Sequence, residues 1–358
     1  MKKLAIIGAS WGQKRLCEKA REMGLYTIGF AWEDGAVCKD LFSKFYPISI
    51  MEKDKIIEIC KKEKVDGVVS TASEITTDVA CYIAKNLGLK GNNYENLIKF
   101  RNKYETRRVT NSISGLTSIK TLLVNDVEDI SFYPCIIKPC RGSGKSGVFY
   151  AESKEKAKEA LNYAKEVGTD VVVEEFVGGK EISVESISYN GRHKAVVIID
   201  RTKAETPHFV DTEFSIPTTL SNDMKNRIFK LVPKILDAIK FKNGPSHFDM
   251  KICGDKIYLI EANLRGIGGI SSSLLIQNGI DFDYTKAIID VALDDFEFPS
   301  NIRDIKHVNS ILLCKQSEKE YNAIKRNRKI IAENVYRNET IYAKKMSDMN
   351  ASLVYEVD

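Results

Sequence analysis

Residues 247–269 read HFDMKICGDKIYLIEANLRGIGG, and this stretch predicts two antiparallel strands followed by a glycine-rich loop. Polar and apolar residues alternate over His247–Ile252 and again over Lys256–Asn263, which is the pattern of half-buried strands. A turn at Gly254-Asp255 separates the two segments. The stretch therefore predicts a β-hairpin with one apolar face and one face rich in polar side chains.

The number of residues in the turn decides which side chains share a face. A two-residue loop would pair Asp249 with Ile260 and place Glu261 on the opposite face, because side chains alternate with a period of two. A three-residue loop, with glycine at an unusual backbone angle, would pair Asp249 with Glu261 and His247 with Asn263. An even loop would need a bulge to give the same result. With the acids paired, the apolar face would carry Phe248, Met250, Ile252, Tyr258, Ile260 and Ala262.

The polar patch on this hairpin has a composition that suits a bound cation. Carboxylates directly opposite each other repel, so the pair would be destabilising without a compensating charge. Mg²⁺ prefers oxygen ligands and typically takes one or two carboxylates together with substrate phosphates. Asp249 alone is well explained as an ordinary surface acid. Glu261, Asn263 and Arg265, however, follow at two-residue intervals, and the same explanation is weaker for the whole set. The hairpin therefore predicts a magnesium site.

Composition indicates a soluble protein of more than one domain. At 358 residues the chain is too long for one small core, and two or three domains are expected. Hydrophobic residues make up 43% and charged residues 29%, as in ordinary globular proteins. The net charge of +5 is mild for this length, so we expect no nucleic-acid partner.

The cysteines and the apolar segments favour a cytoplasmic location. The eight cysteines contain no CxxC pair, which indicates reduced thiols and argues against a zinc site. The apolar run Leu4–Ala9 is too short for a signal peptide, and no stretch approaches the ~20 apolar residues that span a bilayer. We therefore expect a cytoplasmic protein with no membrane partner.

Residues 1–98 predict a small α/β unit. Strand patterns at Lys3–Gly8, Tyr26–Ala31 and Val65–Ser70 alternate with helical ones, and this alternation implies a parallel sheet with right-handed crossovers. The turn at Gly8–Gly12 fails the dinucleotide pattern G-x-G-x-x-G, because serine occupies position 10 and glutamine position 13. A hydride-transfer enzyme built on this unit is therefore the weakest hypothesis.

A second glycine-rich segment, Arg141–Gly147, predicts a phosphate-binding loop. It ends like a P-loop, but the first required glycine falls on Pro139, which has no amide hydrogen, and the segment leads into a strand rather than a helix. Freed backbone amides and the charges of Lys138, Arg141 and Lys145 still suit phosphate oxygens. Lys138 interrupts an apolar strand, where a lysine is costly without an anion. The alternative is a lysine whose stem packs while its head reaches solvent.

In this order and spacing, the motifs resemble those of the ATP-grasp superfamily, most closely its carboxylate–amine ligase branch, which includes L-amino-acid ligases. That family has a K-P…G-S-G-x-x-G loop, a hinge E-[EKQ]-[FY]-[IV]-x-G-x-E and a metal strand pair ending in E-x-N-x-R. The matching segments here are Lys138–Gly147, Glu174–Glu181, Asp249 and Glu261–Arg265. One departure is Leu264, where many members have proline; it changes the backbone stiffness beside Arg265 and leaves the ligands in place.

The resemblance implies an ATP-grasp fold of mixed α/β and α+β class in four parts. Residues 1–98 would form a Rossmann-like preATP-grasp domain, and 99–180 the first part of the ATP-grasp domain with a mobile lid at about 118–178. Residues 181–300 would form an antiparallel-sheet subdomain that carries the metal site. Residues 301–358 would be a C-terminal extension, either a short strand-and-helix cap or a support for a homodimer.

The resemblance also implies a role for each matched position. Lys103 and Lys138 would bind ATP phosphates, Glu174 would lie near the adenine amino group, and Glu181 would hold the ribose. The full set expected to contact ATP is Lys103, Lys138, Ser143, Gly144, Ser146, Gly147, Glu174, Glu175, Val177 and Glu181. The expected ligands of Mg²⁺, or of Mn²⁺ in its place, are Asp249, Glu261 and Asn263.

Catalytic and substrate-binding roles follow in the same way. Arg265 would neutralise the transferred phosphoryl group, with Lys138 as the second catalytic cation. The residues expected to contact small-molecule substrates are Arg201, His208, His247, Gly268 and Gly269. For Arg201 and His208, a place on a surface loop is an equally good explanation.

The implied activity is ATP-dependent joining of a carboxylate to an amine through an acyl phosphate, with ADP and phosphate as products. Phosphoryl transfer needs positioning and charge neutralisation more than a protein nucleophile, and no Ser-His-Asp or Cys-His pair is apparent. One alternative is activation of bicarbonate, as in carbamoyl-phosphate synthetase or biotin carboxylase. Another is a nucleotide-binding module without catalysis, against which the retained acids and Arg265 argue.

Overall fold

Three β-sheets organise the part of the chain that the computed structural model describes, which is residues 1–142, 147–168, 170–204 and 210–357. The strands are β1 (Lys3–Ile7), β2 (Tyr26–Ala31), β3 (Lys44–Pro47), β4 (Gly67–Val69), β5 (Thr121–Val124), β6 (Cys135–Pro139), β7 (Phe149–Ala151), β8 (Val171–Glu175), β9 (Lys180–Tyr189), β10 (Arg192–Lys203), β11 (Asp211–Ile216), β12 (Gly244–Cys253), β13 (Lys256–Asn263), β14 (Val308–Leu313), β15 (Ile330–Val335) and β16 (Ala351–Glu356). The α-helices are α1 (Lys14–Glu22), α2 (Lys53–Glu63), α3 (Glu74–Leu87), α4 (Tyr94–Lys99), α5 (Lys103–Thr110), α6 (Lys154–Val167), α7 (Asn222–Ala238), α8 (Ile270–Gly279), α9 (Tyr284–Ala292) and α10 (Glu318–Asn327).

The first sheet is parallel and has the strand order β3-β2-β1-β4. The side chains of Leu4, Ala5, Ile6 and Ile7 are all inaccessible to solvent. A strand buried on both faces needs a continuous apolar run rather than an alternating one, which explains the sequence of β1. The parallel sheet predicted for the first part of the chain is therefore present.

The second sheet is antiparallel, with the order β5-β8-β6-β7, and α6 packs against β6 and β7. Apolar residues of α6 such as Ala157 and Leu161 join Val171 and Val173 of β8 in a separate small core. Lys138 lies in β6 opposite Val172, one residue away from the end of the strand at Pro139. This small sheet thus brings the buried lysine of the sequence beside strand β8.

The third and largest sheet has the order β13-β12-β9-β10-β11-β14-β16-β15 and is antiparallel throughout. Helix α7 covers one face, where Ile228 and Val232 pack with Ile182 and Phe248. Helices α8 and α9 lie on the other face together with apolar residues of the first domain. Because side chains alternate along β12, His247 and Asp249 point away from α7, toward the face of α8 and α9.

Residues 301–358 contribute strands to the same sheet. Strand β14 pairs with β11, β16 pairs with β14, and β15 forms the edge. Helix α10 packs on this end of the sheet through Tyr321, which joins Leu353 and Tyr355 in a local core. The tail therefore extends the central sheet instead of forming a separate cap over it.

The hairpin turn differs from the three-residue alternative. Cys253 pairs with Lys256, so the loop has two residues, and its first residue, Gly254, has a φ of 57° that suits glycine. A register shift between Asp249 and Met250 leaves Ile260 as an extra residue on β13. This bulge restores the pairing that an even loop would have lost.

The bulge also changes the apolar face that the sequence predicts. Between the turn and the bulge, Ile257 and Leu259 join the core, opposite Ile252 and Met250. Tyr258 and Ile260, which the uninterrupted pattern assigns to that face, are only half-buried. The prediction was wrong at these two positions because a one-residue shift exchanges the faces of a strand.

None of the helices in the described ranges has the length and apolarity that a bilayer crossing requires.

Candidate active site

The two acids of the hairpin, Asp249 and Glu261, lie opposite each other, and each contacts a basic side chain. Asp249 pairs with Glu261 across β12 and β13, and His247 pairs with Asn263. The Oδ1 atom of Asp249 accepts hydrogen bonds from Nη1 of Arg201 and, at 3.1 Å, from Nε2 of His247. Predicted metal ligands are therefore brought together, and basic groups surround them.

On the β13 side, the Nζ atom of Lys103 lies 3.1 Å from Oε1 of Glu261. The same Nζ donates to the carbonyl of Gly142 at 2.6 Å, and the backbone amide of Lys103 donates to Cys140 at 2.8 Å. Asn102 caps this helix by accepting from the first-turn amides of α5. Lys103 thus ties the start of α5 to the beginning of the glycine-rich segment and to the acid.

Neighbouring charges keep both acids ionised. Burial raises the pKa of Asp249, but Arg201 and His247 outweigh it and hold the pKa well below its usual range. Burial likewise raises the pKa of Glu261, and Lys103 together with Lys138 brings it below the ordinary value against the opposing effect of Asp249. Both side chains are therefore oxygen acceptors at neutral pH, which is the form that a divalent cation requires.

His247 is held as a cation between two carboxylates. Its Nδ1 contacts Oε1 of Glu185, and its Nε2 faces Asp249. Burial lowers the pKa of the imidazole, but Glu185 and Asp249 more than compensate and raise it to about 9. His247 is accordingly a charged partner of the acid side of the site.

Arg201 belongs to the same buried network, not to an exposed loop. It forms two hydrogen bonds to Asp211, from Nε at 3.1 Å and from Nη2, and it bonds to Asp249 through Nη1. Its Nη1 also lies 3.7 Å from Oε1 of Glu181. The surface-loop explanation of Arg201 was therefore wrong.

Lys138 is paired with a protein carboxylate. It is 5% exposed, and its Nζ donates to Oε2 of Glu174 at 2.6 Å; Glu174 is 4% exposed. The other oxygen of Glu174 accepts from Nε of Arg107 at 2.9 Å. The solvent-reaching alternative for Lys138 does not hold, and the anion that offsets its burial is Glu174.

The charge of Glu174 depends on both cations. Burial raises the pKa of this carboxyl, but Lys138 and Arg107 lower it to about 2. Arg107 also donates from Nη2 to the carbonyl of Ile260 at 3.0 Å and from Nη1 to the carbonyl of Leu259. A single arginine therefore links the hinge carboxylate to the bulge of β13.

The remaining hinge residues have their own backbone and side-chain partners. The amide of Glu175 donates to the carbonyl of Lys120 at 3.0 Å, and its carboxylate accepts from the amide of Lys120 at 2.9 Å. The carbonyl of Val177 accepts from Nζ of Lys251 at 2.8 Å. Glu181 pairs with Lys203 at 2.5 Å. Their contacts with ATP stay predictions.

The loop after β13 carries Arg265 against the first domain. Arg265 donates to the carbonyl of Gly266 at 3.0 Å and to Oδ1 of Asn263 at 3.4 Å, while its buried Nε has no partner among the described residues. A Cβ on Gly266 would lie 2.8 Å from Oγ1 of Thr71, so only glycine permits this approach. Gly269 precedes α8 with a φ of 89°. Gly268 is exposed.

Several predicted residues lie outside the described ranges. They are Ser143, Gly144, Lys145, Ser146 and His208. Gly147, at the end of that loop, is described; it is buried and has a φ of 72°.

A cleft of about 350 Å³ lies beside Lys103, Arg107 and Glu261 and opens to solvent. It lies between α5 and β13, and its lining residues are Glu74, Phe100, Arg101, Lys103, Thr106, Arg107, Leu259, Ile260, Glu261 and Ala262. Sequence reasoning missed Arg107, although it follows Lys103 by four residues and so lies on the same helix face. It also missed Glu185, which shares a strand face with Glu181 by the two-residue period.

The described residues contain no cluster of three or more His, Cys, Asp or Glu side chains placed to hold a metal ion. The donor set offered by Asp249, Glu261 and Asn263 consists of oxygen atoms, and the two acids are ionised. These properties fit Mg²⁺, which needs one or two carboxylates when phosphates and water complete its shell.

Comparisons with known proteins identify a matching domain and several similar proteins. The family model for the ATP-grasp domain matches residues 131–274. The formate-dependent phosphoribosylglycinamide formyltransferase of Saccharolobus solfataricus is 23% identical over 252 residues, which are 66% of this chain and 63% of that protein. The D-alanine–D-alanine ligase of Fervidobacterium nodosum is 28% identical over 167 residues, 44% of this chain and 52% of that protein. The chain thus spans between half and two thirds of these relatives.

Solved structures share the fold along nearly the whole chain. The L-amino acid ligase from Bacillus licheniformis superposes with a TM-score of 0.84 at 20% identity, covering 99% of this chain and 93% of that chain. The N5-carboxyaminoimidazole synthetase from Staphylococcus aureus in complex with ADP gives a TM-score of 0.79 at 16% identity, covering 100% and 93%. The parallel first sheet, the antiparallel central sheet and the matched domain confirm the predicted fold class. Residues 131–274 therefore match the ATP-grasp domain family, and the chain shares the fold of these ligases and synthetases along nearly its whole length.

Proposed function

We propose that this protein is an ATP-dependent ligase that activates a carboxylate as an acyl phosphate and joins it to an amine. The observation that carries the proposal is the pairing of Asp249 with Glu261 at the edge of a cleft that also holds Lys103. Opposed, ionised acids beside lysines suit a metal–phosphate complex, because both signs of charge then find partners. Relatives named as ligases and formyltransferases favour the same reaction type.

ATP is the expected nucleotide, and we assign its phosphates to the region around Lys103 and Lys138. Lys103 and Lys138 supply positive charge, and Ser143, Gly144, Ser146 and Gly147 are the proposed backbone contacts. The hinge residues Glu174, Glu175, Val177 and Glu181 are the proposed adenine and ribose contacts. The lid at about 118–178 would exclude water from the phosphates.

Mg²⁺ is the proposed metal, with Mn²⁺ as a substitute, held by Asp249, Glu261 and Asn263. When bound, the ion would neutralise phosphate charge and orient the γ-phosphate for in-line attack. The chain's own groups keep both acids ionised: His247 and Arg201 beside Asp249, and Lys103 beside Glu261.

The reaction proceeds in two balanced steps. A carboxylate oxygen of the first substrate attacks the γ-phosphorus, the bond to ADP breaks, and an acyl phosphate forms. The nitrogen of the amine then attacks the acyl carbon, and phosphate leaves with the proton that the nitrogen loses. Arg265 neutralises the oxyanions, and the chain itself contributes no nucleophile. Substrate contacts are proposed at Arg201, His208, His247, Gly268 and Gly269.

We also propose a cytoplasmic protein with small-molecule partners and a homodimeric assembly. The cysteines are all free, and all but Cys253 are buried, which suits a reducing compartment. Light scattering on the purified protein tests the dimer; a mass of 40.3 kDa in solution would exclude it.

A screen of carboxylate–amine pairs tests the activity. We expect ADP and phosphate to form in equal amounts only when both substrates are present. Turnover with bicarbonate alone would instead favour the bicarbonate-activating alternative. Nucleotide binding with no turnover on any pair would favour a non-catalytic module, and formation of AMP would exclude the acyl-phosphate route.

A further inference from the structure

Glu185 is a fully buried carboxylate in β9, and the proposed reaction gives it no role. It pairs with His247 across β9 and β12, so it lies on the same sheet face as the acids of the site. An ionisable side chain with no exposed surface is costly unless other groups satisfy it. The partners of Glu185 therefore indicate which parts of the structure it holds in place.

The two oxygens of Glu185 bind groups from three other elements. Oε1 contacts Nδ1 of His247 on β12. Oε2 accepts the backbone amide hydrogen of Ile267 at 3.1 Å, in the loop after β13. It also lies 3.2 Å from the hydroxyl of Tyr284 at the start of α9, which is shared with the carbonyl of Ser186 at 3.0 Å. One rigid side chain thus joins β9, β12, the loop and α9.

Each oxygen leads directly to a different part of the proposed site. Through Oε1, Glu185 orients the imidazole so that Nε2 of His247 faces Asp249 at 3.1 Å. Through Oε2, it fixes the backbone two residues beyond Arg265 and immediately before Gly268. Glu185 therefore contacts both the histidine that faces Asp249 and the backbone close to Arg265.

We propose that Glu185 is a positioning residue that holds Asp249 and the Arg265–Gly269 loop in a single relative geometry. The inference rests on the proposed function, because it assumes that Asp249 binds the metal and that Arg265 acts on the phosphoryl group. Groups that orient metal ligands from behind often affect metal affinity or activity as strongly as a ligand does. Displacement of reacting groups by a small distance is also costly in rate.

The substitution Glu185→Gln tests the proposal because it keeps the shape but removes the charge and one acceptor. Calorimetry measures ADP affinity with and without Mg²⁺, and steady-state kinetics measures kcat and the KM for ATP. We expect the Mg²⁺-dependent gain in ADP affinity and kcat each to fall by roughly 10- to 100-fold. ADP affinity without Mg²⁺ and the KM for ATP at saturating Mg²⁺ should stay within about threefold of the wild-type values, because the substitution leaves Lys103 and Lys138 unchanged.

Ser188→Ala is the matched control for a purely structural effect. Ser188 is also fully buried in β9, but it bonds to Nδ1 of His193 at 2.7 Å, away from the site. This variant should lower thermal stability and leave the Mg²⁺ dependence unchanged. If Glu185→Gln behaves like Ser188→Ala, Glu185 supports packing only and the proposal is overturned.

Two further variants keep the test decisive if the glutamine protein fails to fold. Glu185→Asp retains the charge and should partly restore the Mg²⁺ dependence, whereas Tyr284→Phe removes one donor and should give a smaller loss. Wild-type Mg²⁺ dependence in both variants would overturn the proposal. If the wild-type protein lacks ligase turnover, the proposed function fails, but the ADP and Mg²⁺ titrations still decide the role of Glu185.

Discussion

Asp249 and Glu261 face each other because a bulge at Ile260 corrects the register that a two-residue turn would otherwise impose. Without that extra residue, the second acid would point toward α7 and the apolar core. The carbonyl of the bulged residue also accepts a hydrogen bond from Arg107, which in turn binds Glu174. The geometry of the acids is thus coupled to the buried ion pairs near the hinge.

Glu261→Gln should reduce turnover at least about 100-fold, because the amide cannot replace an ionised ligand of Mg²⁺. The fold should remain, since Glu261 is half-buried and its partner Lys103 keeps the Gly142 carbonyl. Turnover and circular dichroism measure the two effects. Glu320→Gln, at an exposed position of α10, is the control and should be fully active. Normal activity of the Glu261 variant would refute the metal assignment.

Lys138→Met should weaken ATP binding by roughly 10- to 100-fold, the loss expected for a charge-assisted contact of about 1.5–3 kcal/mol. Methionine keeps the packed stem but removes the charge, and Glu174 then retains Arg107 as its cation. Isothermal titration with ATP analogues gives the affinity. Lys158→Met, on the exposed face of α6, serves as the comparison. An affinity equal to the wild-type value would count against a phosphate contact.

Arg107→Met should cost about 3 kcal/mol of unfolding free energy, because it leaves Glu174 buried with one cation instead of two. Urea unfolding measures the change. The neighbouring Arg108→Met removes a side chain that is 61% exposed, against 6% for Arg107, and should cost less than about 1 kcal/mol. Equal losses in the two variants would show that the buried ion pair contributes little.

The difference in unfolding free energy between the wild-type protein and Arg107→Met should become smaller at acidic pH. The pKa of Glu174 falls from 4.5, the ordinary value for a glutamate in an unfolded chain, to about 2 in the folded protein. Its ion pairs therefore stabilise the fold fully above pH 4.5, and this stabilisation is lost as the pH falls toward 2. Urea midpoints between pH 6 and pH 3 provide the measurement. A gap that is constant over this range would mean that Glu174 does not carry the effect.

Thiol labelling should find one fast-reacting cysteine. All eight cysteines lie in described residues, and Cys253 beside the hairpin turn is the exposed one. Burial raises the pKa of Cys135 and Cys140 to about 11, so these thiols stay protonated and unreactive at pH 8. Ellman's reagent should therefore titrate one group, and Cys253→Ser should remove it. Rapid labelling of several groups would indicate that the second sheet opens readily.

The sequence by itself determined the chemistry of the site. Residue types at fixed spacing named the acids, the lysines and the glycine-rich loops, and the alternation of strands and helices indicated the parallel first sheet. These signals are local, since a two-residue or four-residue period depends only on backbone geometry within one element. The roles of the individual residues toward ATP and metal stay predictions.

Tertiary structure decided which groups meet. The bulge at Ile260 has no local signature, because a two-residue turn followed by a bulge and a three-residue turn are both compatible with the same alternation of residues. Glu174 pairs with Lys138 and Arg107, which lie 36 and 67 positions away in the sequence. The link from Glu185 to Ile267 spans 82 positions. Such contacts depend on how separate elements pack. Burial then makes it costly to leave these charges unpaired, and the sequence alone does not reveal which charges are buried.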